Sequence, residues 1–126
     1  MNNEPTDAPT IDMQSITQLA EGDGLGQKFV AEIIDLFLAD LGERVSKISV
    51  QMSLGDYDPI APMAHAIKGS CGHFRAMRLM DLASELEDKV RTKHTKGLQA
   101  AIDAMVAQAE RVRVALEAYK SEHLPQ

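Results

Sequence analysis

The sequence predicts an all-α fold: an antiparallel up-and-down four-helix bundle with a short accessory helix at its N-terminal end. Apolar residues recur at steps of three and four along four separate segments, and clusters of glycine, proline and aspartate punctuate the gaps between them. No segment alternates apolar and polar residues with the period of two that a half-buried strand requires. Helices with one apolar stripe each, joined by short connections, hide those stripes by packing antiparallel around one core.

Residues 1–10 are polar and carry Pro5 and Pro9, the pattern of a flexible tail. A short helix is expected from Ile11 to Ala20, with Asp12 as its N-cap and Ile16 and Leu19 at a spacing of three; the three glycines between Glu21 and Gly26 should stop it. The clearest helix spans about Gln27 to Ser53. Val30, Ile33, Ile34, Phe37, Leu38, Leu41, Val45, Ile48 and Met52 form its stripe, and Gly55 is placed to end it in the left-handed conformation.

The third helix should start between Asp56 and Pro59, where an aspartate cap followed by proline is favourable, with its body at Met63 to about Gly72. Pro62 removes a further hydrogen bond unless the helix begins late or kinks. After Gly72 to Phe74 the periodicity resumes in a new phase through Ala76, Leu79, Leu82, Ala83, Leu86 and Val90, giving a fourth helix to about Lys93. The last helix carries Leu98, Ile102, Met105, Ala109, Val112, Leu116 and Tyr119. The bundle is thus expected over residues 11–120, with residues 121–126, Pro125 among them, as a C-terminal tail.

The 126 residues suffice for one core and not for two. A net charge of -6 argues against sequence-independent binding to nucleic acid or to an anionic membrane surface. No apolar run reaches membrane length, since Glu32, Asp35 and Asp40 break the longest candidate. The first residues have neither a basic nor an apolar signal region, and the single cysteine, Cys71, cannot form an intramolecular disulfide. A soluble cytoplasmic protein, monomeric because no apolar stripe is left over, is the expectation.

Chemistry concentrates in the third helix, at Ala64-His65-Ala66-Ile67-Lys68-Gly69-Ser70-Cys71-Gly72. His65 has a lysine at i+3 and a glycine at i+4, both on its own side of the helix. Glycine inside a helix costs about 1 kcal/mol relative to alanine, so Gly69 needs a reason. A partner bringing a phosphorylated group to His65 supplies one, because a missing side chain at Gly69 clears its approach. Lys68 would offset the roughly -1.5 to -2 charges of a phosphoryl group. The plain alternative, a partly exposed helix histidine beside a helix-packing glycine, stands equally well on these three residues.

The longer pattern separates the two. From Ala64 to Glu87 the chain reads AHAIKGSCGHFRAMRLMDLASELE, which resembles the signature of histidine-containing phosphotransfer (HPt) domains: histidine, Lys-Gly-Ser after a spacer of two, a small-residue turn, Ala-x-x-Leu-x-x-Leu and a closing Leu-Glu. His65, Lys68, Gly69, Ser70, Ala76, Leu79, Leu82, Leu86 and Glu87 fall in register, and the similarity reaches upstream to Leu36-Phe37-Leu38, Arg44 and Gly55-Asp56-Tyr57.

The resemblance implies a four-helix bundle with His65 as the phosphorylated residue on an exposed flank and Lys68 and Gly69 as its setting. A docking surface for receiver domains would include Ala64, Ser70 and Gly72. It further implies that Glu87 binds the Nδ1 proton and leaves Nε2 to attack, although Glu87 reads equally as a solvated residue. The expected partners are response-regulator receiver domains and a hybrid sensor histidine kinase. The chain would hold no cofactor of its own, the divalent metal belonging to the receiver.

One departure stands out. The position after Phe74, commonly glycine in the family, is Arg75. Positive φ there would cost arginine about 1 kcal/mol or more, so the turn is expected to be reshaped, and Arg75 becomes a candidate for partner selection. Arg75 and Arg78 either contact an acidic receiver surface or form a solvated face.

Other readings fare worse. Cys71, His65, His73 and His94 lack the spacing of zinc or di-iron ligands. Gly22 to Gly26 lacks the lysine and the preceding strand of a phosphate loop, so neither a nucleotide site nor self-phosphorylation is indicated. An exposed helix offers no oxyanion hole for a hydrolase. The rival of another class is a helical interaction module that binds a kinase or regulator without carrying phosphate.

Overall fold

A computed structural model describes residues 9–20 and 24–124. Its helices are α1 (Gln14–Ala20), α2 (Gly24–Leu54), α3 (Ile60–Ser70), α4 (Met77–Arg91) and α5 (Leu98–His123), with a single 3-10 turn at Cys71–Phe74 between α3 and α4. Helices α2 to α5 form the bundle: each packs on the next, and α5 closes the ring against α2. The short α1 lies across α2 and the 3-10 turn. Most of the expected N-terminal tail, Glu21 to Asp23 of the expected break, the side chain of Leu19 and Pro125 lie outside the described residues, whereas Gly24 to Gly26, expected in the same break, form the start of α2.

The stripes read from the sequence converge as expected. Val30, Ile34 and Ile48 of α2 are fully buried, as are Leu79, Ala83 and Leu86 of α4 and Met105, Val112 and Leu116 of α5. Ile33, Leu38, Val45 and Met52 pack against this core from its margin. Gly55 ends α2 with φ of +73°, the conformation only glycine adopts without strain. Helix α5 continues to His123, past Lys120 where a tail was placed, and Leu124 is buried behind it.

Helix α3 begins late. Pro59 is its N-cap, which makes Pro62 the third helical residue, where the backbone N–H has no intrahelical partner to lose. Neither proline therefore removes an intrahelical hydrogen bond. Helix α1 starts at Gln14 with Met13 in the N-cap position, one residue after the Asp12 expected there, but Asp12 still caps the helix from outside, its Oδ1 accepting the Gln14 N–H at 3.0 Å.

The turn after Phe74 departs from expectation. It is not reshaped: Arg75 itself takes the left-handed conformation, φ 48° and ψ 44°. Backbone bonds from Arg75 N to Gly72 O at 3.3 Å and from Ala76 N to Cys71 O at 3.2 Å close the turn, and that closure requires positive φ at Arg75. Phe74, fully buried against Phe37 with ring centroids 4.9 Å apart, anchors the turn to the core. The chain thus adopts the strained residue conformation rather than give up this packing.

Candidate functional site

Helix periodicity decides which residues of α3 face outward. Ile60, Ala64 and Ile67 share the buried face, and His65 and Gly69 emerge on the opposite side. Ala64, expected on a docking surface, is fully buried, because it lies four residues after Ile60 and three before Ile67 on the core stripe. The His65 side chain is 62% exposed, whereas Lys68 lies lower on the flank at 33%.

Opposite this face, α4 contributes Glu87, whose side chain is only 12% exposed. Its carboxylate accepts from three nitrogens. His65 Nδ1 lies 3.0 Å from Oε2 and 3.2 Å from Oε1. Lys68 Nζ approaches Oε1 at 3.3 Å, and Arg91 Nε donates to Oε2 at 2.8 Å. Glu87 is therefore part of the site and not a solvated surface residue. A buried carboxylate is costly unless ionic partners compensate, and this one has them. The hydrogen bond from Arg91 is the chief cause holding the Glu87 carboxyl at about 2, against the opposing effect of burial, with His65 and Lys68 adding to it.

The protonation of the imidazole follows. An ionised carboxylate only accepts, so Nδ1 of His65 carries a proton, and in a neutral ring Nε2 keeps its lone pair. No hydrogen bond engages Nε2 among the described residues. Gly69, one helical turn on, has negative φ, and a Cβ built there meets nothing within 4 Å. Neither backbone conformation nor internal packing requires glycine at this position, which removes the helix-packing reading. Gly72 is equally open.

The remaining expected residues divide. Ser70 is half-buried and spends its hydroxyl on the Ile67 carbonyl at 3.0 Å. It also lines a concavity of about 200 Å³ shared with Ile33, Leu36, Phe37, Asp40, His73 and Phe74. Arg75 is exposed but engaged within the chain, its Nε 3.7 Å from Asp12 Oδ2. Arg78 is exposed. Cys71 is buried in the core, and its thiol is pushed up to about 12 by that burial.

Two contributors escaped the sequence reading. Arg91 was findable, since it stands at i+4 from Glu87 on one helix face. Leu36, 67% exposed at the rim of the concavity, lies off the apolar stripe of α2 and enters the sequence analysis only through the family similarity, because periodicity does not tell which neighbours a rim residue has.

The Hpt domain family matches this chain over residues 32–119, a span that contains His65, Lys68, Gly69, Glu87 and Arg91. The crystal structure of histidine-containing phosphotransfer protein B (HptB) from Pseudomonas aeruginosa PAO1 is similar with a TM-score of 0.80. The match covers 92% of this chain and 98% of that one at 23% sequence identity, a likeness of fold. No curated protein sequence matches the chain.

Proposed function

Because the chain belongs to the Hpt domain family of histidine phosphotransfer proteins in phosphorelay signalling, we propose that His65 is the residue that accepts and surrenders the phosphoryl group. The observation that carries this reading is an outward imidazole whose Nδ1 is bonded to an ionised carboxylate at 3.0 Å. That arrangement leaves Nε2 as the nucleophile.

In the forward step Nε2 attacks the phosphorus of a receiver's aspartyl phosphate. The N–P bond forms, the acyl P–O bond breaks, and the aspartate leaves as a carboxylate. The ring becomes an N-phosphorylated imidazolium that keeps its Nδ1 proton against Glu87. In the second step a carboxylate of another receiver attacks the phosphorus, and the Nε2–P bond breaks with its electron pair returning to the ring. The proton never leaves Nδ1, so no separate acid or base is needed. Lys68 offsets the arriving phosphoryl charge, and Gly69 leaves room for the receiver's phosphorylated site.

The partners are receiver domains of response regulators and a hybrid sensor histidine kinase, with the receiver supplying the divalent metal. The face around Ser70, Gly72 and Leu36 is where a receiver would rest, and the exposed Arg75, which follows Phe74 in the chain, is a further candidate for contact with it. The chain acts as a phosphocarrier without kinase or hydrolase activity of its own, as a monomer in the cytoplasm. No described helix is long and apolar enough to cross a membrane, and the net charge of -6 disfavours nucleic acid.

Incubation with a phosphorylated receiver tests this directly. Wild type should acquire acid-labile phosphate and His65→Gln should acquire none. Equal labelling of both would move the acceptor elsewhere, and a helical interaction module without phosphate would leave both unlabelled.

A further inference from the structure

Glu87 has two cationic side chains as partners where one would neutralise it, and they are held differently. Arg91 Nε lies 2.8 Å from Oε2, the oxygen nearer to His65 Nδ1, while Lys68 Nζ lies 3.3 Å from the other oxygen, Oε1. Arg91 stands one turn beyond Glu87 on α4, so the anchor and the carboxylate share one rigid element. Lys68 stands on α3, on the same face as His65 and three residues from it.

These differences carry a consequence once His65 takes up a phosphoryl group. The new group brings about two negative charges within reach of Lys68, which has three rotatable donors on a flexible stem. If Lys68 were the main support of Glu87, turning to the phosphoryl group would release the carboxylate just as the imidazolium needs it. Arg91 removes that conflict, because its bond to Oε2 does not depend on where Lys68 points.

We infer that the two cations divide the work: Arg91 is a positioning residue that fixes Glu87, and through it the orientation and tautomer of His65, whereas Lys68 is the one that turns to the phosphoryl group. This rests on His65 being the phosphoryl acceptor. The depressed carboxyl of Glu87, for which Arg91 is the leading cause, accords with that ranking.

The test compares Arg91→Gln, Arg91→Lys and Lys68→Ala with wild type in two measurements: the 15N shifts of the His65 ring, which report its tautomer, and the transfer rate from a phosphorylated receiver. Arg91→Gln should shift the ring toward a mixture of tautomers and slow transfer about tenfold, the lower end of what loss of such an orienting partner costs. Arg91→Lys, able to place one donor on the same oxygen, should keep the wild-type tautomer and most of the rate. Lys68→Ala should slow transfer while leaving the tautomer unchanged. The Arg91 side chain is 55% exposed and that of Lys68 33%, so neither fills the core and circular dichroism should record an intact bundle in all three variants.

A wild-type tautomer in Arg91→Gln would overturn the assignment, as would an equal tautomer shift in Lys68→Ala. A wild type that takes no phosphate at all is a different failure: it defeats the phosphocarrier reading and this division of labour with it.

Discussion

At the scale of single residues, the site depends on what Gly69 lacks and on what Glu87 keeps. A Cβ at Gly69 would enter open space, so Gly69→Gln should fold with unchanged helical circular dichroism, and helix propensity favours the variant by up to about 1 kcal/mol. Its side chain would stand in the approach to His65, and transfer from a receiver should slow at least tenfold on the proposed reading; normal kinetics would remove the steric role. Glu87 makes a pH prediction. Its folded-state value of about 2 lies below the ordinary 4.5, so between these values the unfolded chain binds more protons. The stability it contributes is complete above about pH 4.5 and is lost as pH falls toward 2. Urea midpoints of wild type should therefore drop more steeply across that window than those of Glu87→Gln, and parallel curves would show that the carboxyl is not held ionised.

At the scale of elements, the connections on both sides of α4 carry backbone strain, at Arg75 and at Lys93, whose φ is 62°. Arg75 occupies the left-handed region in which a side chain costs about 1 to 2 kcal/mol. Its pairing with Asp12 spans 3.7 Å between exposed side chains and recovers at most about 1 kcal/mol. Arg75→Gly should accordingly stabilise the protein by about 0.5 to 1 kcal/mol, read from urea denaturation. A net loss would mean that the link to α1, where Asp12 N–H also bonds Phe74 O at 2.8 Å, matters more than the backbone strain. Helix α3 shows the opposite economy. Its two prolines sit at the cap and in the first turn, where they remove no intrahelical bond.

At the scale of the molecule, one core holds the helices whose outer faces build the site. Ile67 is buried between its neighbours while Lys68 and Gly69 follow it outward, so the register of α3 in the core sets where His65 points. Cys71 reports on that core. Fully buried and with its thiol raised to about 12, it should resist thiol reagents at neutral pH until the bundle opens. Labelling in increasing urea should follow the loss of helical signal, and rapid labelling of the native protein would contradict the packing around the 3-10 turn.

The phase of α2, α4 and α5 was legible in the sequence, because burial of an apolar stripe is a periodic property that a chain displays residue by residue, whereas their ends were not: α2 starts at Gly24 and α5 runs to His123. The His65, Lys68 and Gly69 cluster was legible for a related reason, since i, i+3 and i+4 on one helix are neighbours whatever the rest of the protein does. What tertiary structure decided lies between elements. Glu87 could be read as solvated or as a partner of His65 until α4 docked on α3 and closed the distance to 3.0 Å. Ala64 changed from surface to core, and Arg75 took the left-handed conformation in a turn expected to be reshaped, for the same reason: the path of the chain at a helix margin or in a turn is set by the neighbour packed against it, and linear spacing carries no record of that neighbour.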